Sequence, residues 1–163
     1  MRYTKLVVFS LIGFIGLLSA QSYAGPGDYS LRVKAGPSFS LNNSWSDQLR
    51  IGADFDYDLG YSMGVGFLTV FGFSDDFRFQ MIPTFRYDVL YIGPGSFHAL
   101  AGVGYGRFNG ANAMDVRTGL GLTLPLGDNY EVNSDVNLFF TPAGTSGTPV
   151  TLDWLIAFGF KFH

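Results

Sequence analysis

The amino-acid sequence predicts an all-β protein, an eight-stranded antiparallel up-and-down transmembrane β-barrel. Apolar and polar residues alternate in eight segments that are separated by turn-forming residues. Each segment is long enough for a tilted transmembrane strand, which needs about 9–11 residues. The chain of 163 residues contains 22 glycines, is 17% aromatic and only 14% charged. This composition is typical of β structure with an unusually apolar surface.

The first element, residues 1–24, is predicted to be a secretory signal peptide. Arg2 and Lys5 precede an apolar stretch, and Ser22 and Ala24 place small residues at the −3 and −1 positions of a cleavage site. An N-terminal membrane anchor is the alternative, which the short stretch and the cleavable end disfavour. The mature chain, residues 25–163, is then one transmembrane β-barrel domain.

Charge and composition exclude several classes of function. Without Arg2 and Lys5, the ten lysines and arginines fall to eight against 13 acidic residues, a net charge of −5. We therefore expect no nucleic-acid partner. The chain has no cysteine, which excludes disulfides, a cysteine-based metal site and a lipid-modified cysteine. We expect no cofactor and no bound metal.

Each strand is predicted from a set of apolar residues at every second position. The predicted strands are residues 30–41, 48–58, 61–73, 77–91, 97–107, 116–126, 130–140 and 150–162. Their apolar sets include, in chain order, Leu31, Val33 and Ala35; Leu49, Ile51 and Ala53; Met63, Val65 and Phe67; Phe79, Met81 and Phe85; Ala99, Ala101 and Val103; Leu120, Leu122 and Leu124; Val132, Val136 and Leu138; and Leu152, Trp154 and Ile156.

The apolar set is predicted to face lipid. The opposite, polar set is rich in glycine, which covers nothing on a solvated strand but fits beside large side chains inside a narrow barrel. Aromatic residues gather towards the two ends of the strands, with smaller aliphatic residues between them, as the two interfaces of a bilayer favour. A secreted, lipocalin-like barrel that buries the apolar set is the alternative.

With these features the chain resembles the small eight-stranded outer-membrane β-barrel proteins of Gram-negative bacteria, the OmpA/OmpX type. The resemblance implies a location in the bacterial cell outer membrane, and it implies outer-membrane lipids and the β-barrel assembly machinery as partners. A monomer is expected. In this family the last strand carries an assembly signal, for which Phe160 and Phe162 supply the aromatic pair. Ala157 stands where the family usually has glycine, and His163 follows the final aromatic residue.

The inward-facing polar set carries as many cations as acids, which predicts mutual ion pairing because an unpaired buried charge is very costly. The cations are Arg32, Lys34, Arg50, Arg78, Arg86, Arg117 and Lys161, and the acids are Asp54, Asp56, Asp58, Asp88, Glu131, Asp135 and Asp153. Across the first hairpin, Arg32 and Lys34 are predicted to form an ion-pair cluster with Asp54, Asp56 and Asp58 near the periplasmic rim. Lys161 is expected to reach this cluster as the barrel closes.

The spacing of Asp54, Asp56 and Asp58 also resembles the start of a calcium-binding loop. An EF-hand needs glycine at the sixth position and glutamate at the twelfth, which are here Leu59 and Val65. We therefore interpret the three carboxylates as one face of a strand.

With a periplasmic N-terminus, the connections at 42–47, 74–76, 109–115 and 142–149 would face outside, and all are short. Short outer loops disfavour an adhesin, and the expected role is structural or interactive. Two alternatives remain open. A lipid A deacylase or acyltransferase would need a base such as His98, but His98 and Ser96 lie at the periplasmic end. A small porin-like pore would need space that an eight-stranded barrel fills with side chains.

Overall fold

The computed structural model describes residues 26–42, 46–74, 77–108, 111–142 and 148–163. The predicted signal peptide lies outside the described residues. So do 43–45, 75–76, 109–110 and 143–147, which belong to the four connections predicted to face outside.

The predicted fold class is confirmed. The strands are β1 (Tyr29–Ser40), β2 (Gln48–Gly60), β3 (Met63–Phe73), β4 (Arg78–Ile92), β5 (Gly95–Phe108), β6 (Ala111–Leu126), β7 (Tyr130–Phe140) and β8 (Val150–Phe162). Each strand is antiparallel to the next, and β8 pairs with β1 to close the barrel. Within the described ranges there is no helix that is long and apolar enough to cross a bilayer.

The bounds of β7 and β8 match the prediction, the ends of β1 to β5 differ from it by at most two residues, and the start of β6 differs by five. The prediction for β6 is wrong at its start, because its ladder with β5 continues to the pair Phe108 and Ala111. Asn112 and Ala113 look like loop residues by composition, but strand pairing overrides that preference. The earlier start of β6 brings Asp115 onto the inward face, opposite Gly104.

The prediction for β3 is also wrong at its start. Gly60, the last residue of β2, and the next two residues, Tyr61 and Ser62, have successive positive φ values of 79°, 54° and 64°. These values turn the chain, so β3 begins only at Met63. The Asp58 carboxylate accepts a hydrogen bond from the Gly60 backbone N–H at 2.7 Å and stabilises this turn. The Tyr61 side chain is 93% exposed.

We call the end of the barrel that carries Tyr29 and Phe162 the terminal end, and the opposite end the far end. Aromatic rings surround both ends. At the terminal end Tyr29 stacks on Phe162 with centroids 4.9 Å apart. At the far end Phe71 lies 5.1 Å from Phe79 between ring centroids. Two aromatic belts around an apolar surface are typical of a transmembrane barrel.

The apolar set faces outward, which overturns the alternative of a barrel that buries it. Val33 is 63% exposed and Ile156 is 53% exposed, whereas Arg32 and Lys34 are buried. Leu124 is the exception among the apolar residues predicted to face lipid. It is buried because it packs over Gly95 of β5. A Cβ on Gly95 would lie only 2.6 Å from Leu124 Cδ2, so the glycine provides the room for this side chain.

The inward face is not uniformly polar. Leu68, Val70, Ile82 and Phe139 are almost fully buried and form one apolar cluster. Along the inward face of β3, Leu68 and Val70 lie between Gly66 on the terminal side and Gly72 on the far side. The apolar cluster therefore divides the polar interior into two parts.

Candidate functional site

Arg32 of β1 lies at the centre of a buried set of ion pairs near the terminal end. Its guanidinium Nη1 is 3.5 Å from Asp54 Oδ1, and Nη2 is 3.3 Å from Asp56 Oδ2. Its Nε contacts the carboxylate of Glu131 on β7. The register explains the first contact, because Arg32 and Asp54 are direct cross-strand partners.

Lys34 extends this set towards the other side of the barrel. Its Nζ is 2.6 Å from Asp54 Oδ2, and it also forms an ion pair with Asp135. Lys34 Nζ donates a further hydrogen bond to Asn133 Oδ1 at 3.2 Å. The ammonium group thus uses all three of its donors in the barrel interior.

Asp58 pairs with Arg86 of β4, not with the two cations of β1. Arg86 Nη2 lies 3.0 Å from Asp58 Oδ2, while Nη1 contacts Asp56. Asp58 and Arg86 are both cross-strand partners of Gly64 on β3, which lies between their strands, so the two charges meet over that glycine. The prediction that Arg32 and Lys34 gather all three aspartates therefore needs this correction.

Glycines determine which charges can meet. Arg32 and Glu131 are both cross-strand partners of Gly159, which lies on the strand between theirs. A Cβ on Gly159 would lie 2.8 Å from Arg32 Cγ and 3.0 Å from Glu131 Cγ. The missing side chain lets two charges on strands that are not adjacent reach each other over the glycine.

Two further pairs follow the same geometry. Gly64 separates Asp58 from Arg86, and Gly121 separates His98 from Asp135. A Cβ on Gly121 would lie 2.1 Å from Asp135 Oδ1, so no side chain is compatible with that contact. We call the connected set the terminal network. Its members are Arg32, Lys34, Asp54, Asp56, Asp58, Arg86, Asp88, His98, Arg117, Glu131 and Asp135.

Lys161 does not join the terminal network by an ion pair within the described residues. It is buried, and β8 places it opposite Ser30, two residues nearer the barrel opening than Gly159. Arg32 already occupies the carboxylate of Glu131. Lys161 instead lines a cavity of about 160 Å³ at the terminal end, together with Asp28, Asp88 and Ser96.

His98 is buried inside the barrel, where its Nε2 is 3.2 Å from Asp135 Oδ1. The other ring nitrogen, Nδ1, has no hydrogen-bond partner in the part of the chain that the structure describes. Asp135 also contacts Lys34 and Arg117, so its charge is shared among three partners. The contact with Asp135 connects His98 to the terminal network.

A second polar set, which we call the far cluster, lies beyond the apolar cluster and was largely missed by the sequence analysis. It consists of Arg50, Gln80, Asp115, Thr141 and Asp153. Arg50 Nε is 3.3 Å from Asp153 Oδ2, and Thr141 donates to Asp115 at 2.8 Å. Gln80 contacts both Arg50 and Asp115 and so connects the two charges. Glutamine and threonine carry no charge, so a search for opposite charges overlooks them.

The interior between these sets is filled. The space among the residues of the terminal network is a cavity of about 10 Å³, roughly the room that one water molecule needs. Within the described ranges, no group of acidic and histidine side chains has an arrangement that could hold a metal ion. Asp54, Asp56 and Asp58 each contact an arginine or a lysine instead.

Phe160 and Phe162 lie at the terminal end of β8, next to the seam with β1. Their ring centroids are 4.7 Å apart in an edge-to-face arrangement. Phe160 also contacts Tyr130 of β7, with a centroid distance of 5.3 Å, and Phe162 stacks on Tyr29 of β1. The two rings thus link the last strand to both of its neighbours.

Taken with the outward apolar surface, this closed barrel with a charge-packed interior has the architecture of a small transmembrane barrel of the bacterial outer membrane. No protein-family model and no curated protein sequence matches the chain. Among solved structures, the chain is similar to the N-terminal β-barrel domain of Pseudomonas aeruginosa OprF, with a TM-score of 0.65 and 11% identity over 85% of this chain and 100% of that one. It is also similar to Ail, the attachment invasion locus protein of Yersinia pestis, with a TM-score of 0.61 and 12% identity over 85% and 100% of the two chains.

An enzyme also has this fold. The outer membrane enzyme PagL has a TM-score of 0.54 and is 13% identical over 82% of this chain and 99% of that one. At such low identities the similarity establishes the fold alone. The fold is that of the small outer-membrane barrels, which supports the expected outer-membrane location.

Proposed function

We propose that this protein is a non-enzymatic, non-conducting barrel of the bacterial outer membrane that has a structural or interaction role. The observation that carries the proposal is the terminal network, which joins five of the eight strands through buried ion pairs and a sixth through the contact of His98 with Asp135. Among the described residues of this network the free space is only about 10 Å³, which supports a barrel without a water-filled path through it. Contacts with lipids or with a partner protein are then expected on the outer surface of the barrel.

A conductance measurement tests the absence of a pore. The purified protein is reconstituted in a planar lipid bilayer, and we expect no discrete current steps above the baseline. Lys34→Met serves as the matched variant, because it removes one interior cation from the network and would alter the current of a real pore. Reproducible steps whose size changes in Lys34→Met would contradict the proposal.

The enzyme alternative is tested on lipid A. The buried side chain of His98 contacts Asp135, and no serine or threonine hydroxyl forms a hydrogen bond with it among the described residues. We therefore expect the lipid A mass spectrum to be the same with and without the protein. A change in acyl-chain number that disappears in His98→Ala would establish the enzyme instead.

We further propose that the β-barrel assembly machinery recognises Phe160 and Phe162. Both rings lie at the seam between the first and last strands, where the barrel must close. Replacing both with leucine keeps the apolar surface but removes the aromatic signal. We expect a lower yield of folded protein in cells and unchanged folding into vesicles in vitro. Equal loss in both settings would reduce the role of the two rings to packing.

A further inference from the structure

Arg107 differs from every other cation in the described residues. It lies on β5 between the buried residues Gly106 and Phe108, so its own side chain faces outward, and it is exposed. The remaining lysines and arginines in the described ranges are buried in the interior. They are Arg32, Lys34, Arg50, Arg78, Arg86, Arg117 and Lys161. A cation that alone leaves the interior for the lipid-facing surface calls for a partner on that surface.

The level of Arg107 along the barrel indicates what that partner is. Its cross-strand partner on β4 is Phe79, a member of the aromatic belt at the far end. Phe79 packs against Phe71, which in turn lies 6.3 Å from Phe77 between ring centroids. Aromatic belts mark the depth of the lipid headgroups, so the guanidinium of Arg107 lies where lipid phosphates are found.

Asn112 adds a second group of donors beside Arg107. The two residues are direct cross-strand partners on the outward face. Tyr105 donates its hydroxyl proton to Asn112 Oδ1 at 2.6 Å, and the amide nitrogen of Asn112 forms no hydrogen bond within the described residues. The acid on this part of β6, Asp115, is fully buried inside the barrel and does not compete.

We propose that Arg107 and Asn112 bind a phosphate group of an outer-leaflet glycolipid. A guanidinium presents a planar pair of donors that matches two phosphate oxygens, and the amide supplies a third donor. No carboxylate shares this outward surface among the described residues of β5 and β6. The inference rests on the outer-membrane role in the proposed function, and it requires the far end of the barrel to face the outer leaflet, as a periplasmic N-terminus predicts.

The test is a binding titration of the full-length mature protein in detergent, followed by native mass spectrometry. The probes are bis-phosphorylated lipid A, dephosphorylated lipid A and phosphatidylcholine. We expect the wild type to prefer the phosphorylated lipid, and Arg107→Gln to weaken that binding about tenfold or more, as the loss of a charge-assisted hydrogen bond implies. Met114→Gln is the matched control, since it places glutamine on the same outward face of β6 and leaves the arginine intact. It is expected to bind within about twofold of the wild type.

Any of three results would overturn the proposal. The first is Arg107→Gln binding phosphorylated lipid A within twofold of the wild type, and the second is equal affinity of the wild type for both forms of lipid A. The third is complete displacement of the lipid by millimolar inorganic phosphate, which would make free phosphate the ligand. The shift in SDS-gel mobility between unheated and heated samples shows whether each variant is folded. The proposed function is judged separately, by conductance and by the lipid A mass spectrum, so either idea can fail without the other.

Discussion

Replacing Arg32 with methionine removes the cation on which the terminal network converges. Asp54 keeps Lys34 and Asp56 keeps Arg86, but Glu131 loses its one ion pair among the described residues. The side chains of Arg32 and Glu131 are only 5% and 2% exposed. Removing one partner of a buried pair leaves an uncompensated charge, which costs about 3–5 kcal/mol. That is a large fraction of a typical stability of about 5–15 kcal/mol.

Urea unfolding in lipid vesicles, followed by tryptophan fluorescence, measures the loss. Lys161→Met is the matched control, because Lys161 is also buried near the terminal end but forms no ion pair within the described residues. We expect it to cost clearly less than Arg32→Met, because no ion pair within the described residues is lost. The double variant Arg32→Met, Glu131→Met should recover about half or more of the loss, since it removes both charges. An Arg32→Met variant no less stable than Lys161→Met would contradict the predicted cost of breaking the ion pair between Arg32 and Glu131.

Three other predictions concern the exterior, a glycine and the terminal end. Leu120→Arg places a charge on the lipid-facing side of β6 and should cost about 2–4 kcal/mol in vesicle unfolding, while Leu120→Val should cost about 1 kcal/mol or less. Gly159→Ala puts a Cβ 3.0 Å from Glu131 Cγ and should cost about 1–3 kcal/mol by overpacking. A variant as stable as the wild type would show that the contact between Arg32 and Glu131 does not need a glycine at this position. The backbone carbonyl of Asp128 accepts a hydrogen bond from His163, and the carboxylate of Asp28 lies 3.1 Å from the other ring nitrogen. Both contacts raise the pKa of this exposed imidazole. The contact should therefore stabilise the fold below the ordinary histidine pKa of about 6.5 and fade as pH rises through the higher folded value. An NMR titration of His163 that finds an ordinary or lowered pKa would contradict this.

Local patterns account for the fold and for the direction in which each side chain points. Alternation predicts the strands because side chains of successive residues leave a strand on opposite sides. The bounds of β7 and β8 match the prediction, since turn residues at 127–129 precede β7, Pro142 follows it closely and Pro149 directly precedes β8. The start of β6 does not match, because pairing with β5 carries the ladder through residues of poor strand propensity.

Alternation along the chain is enough to place many charges, with glycines among them, on the face of a narrow interior. Which of these charges form pairs depends on the closed barrel. Arg32 and Glu131 are 99 residues apart in the chain, and they meet because barrel closure sets both beside Gly159. Asp58 pairs with Arg86 because the register aligns both with Gly64. The period of two specifies a face, whereas the choice of partner depends on the register of every strand between the two residues, which forms only when the barrel closes.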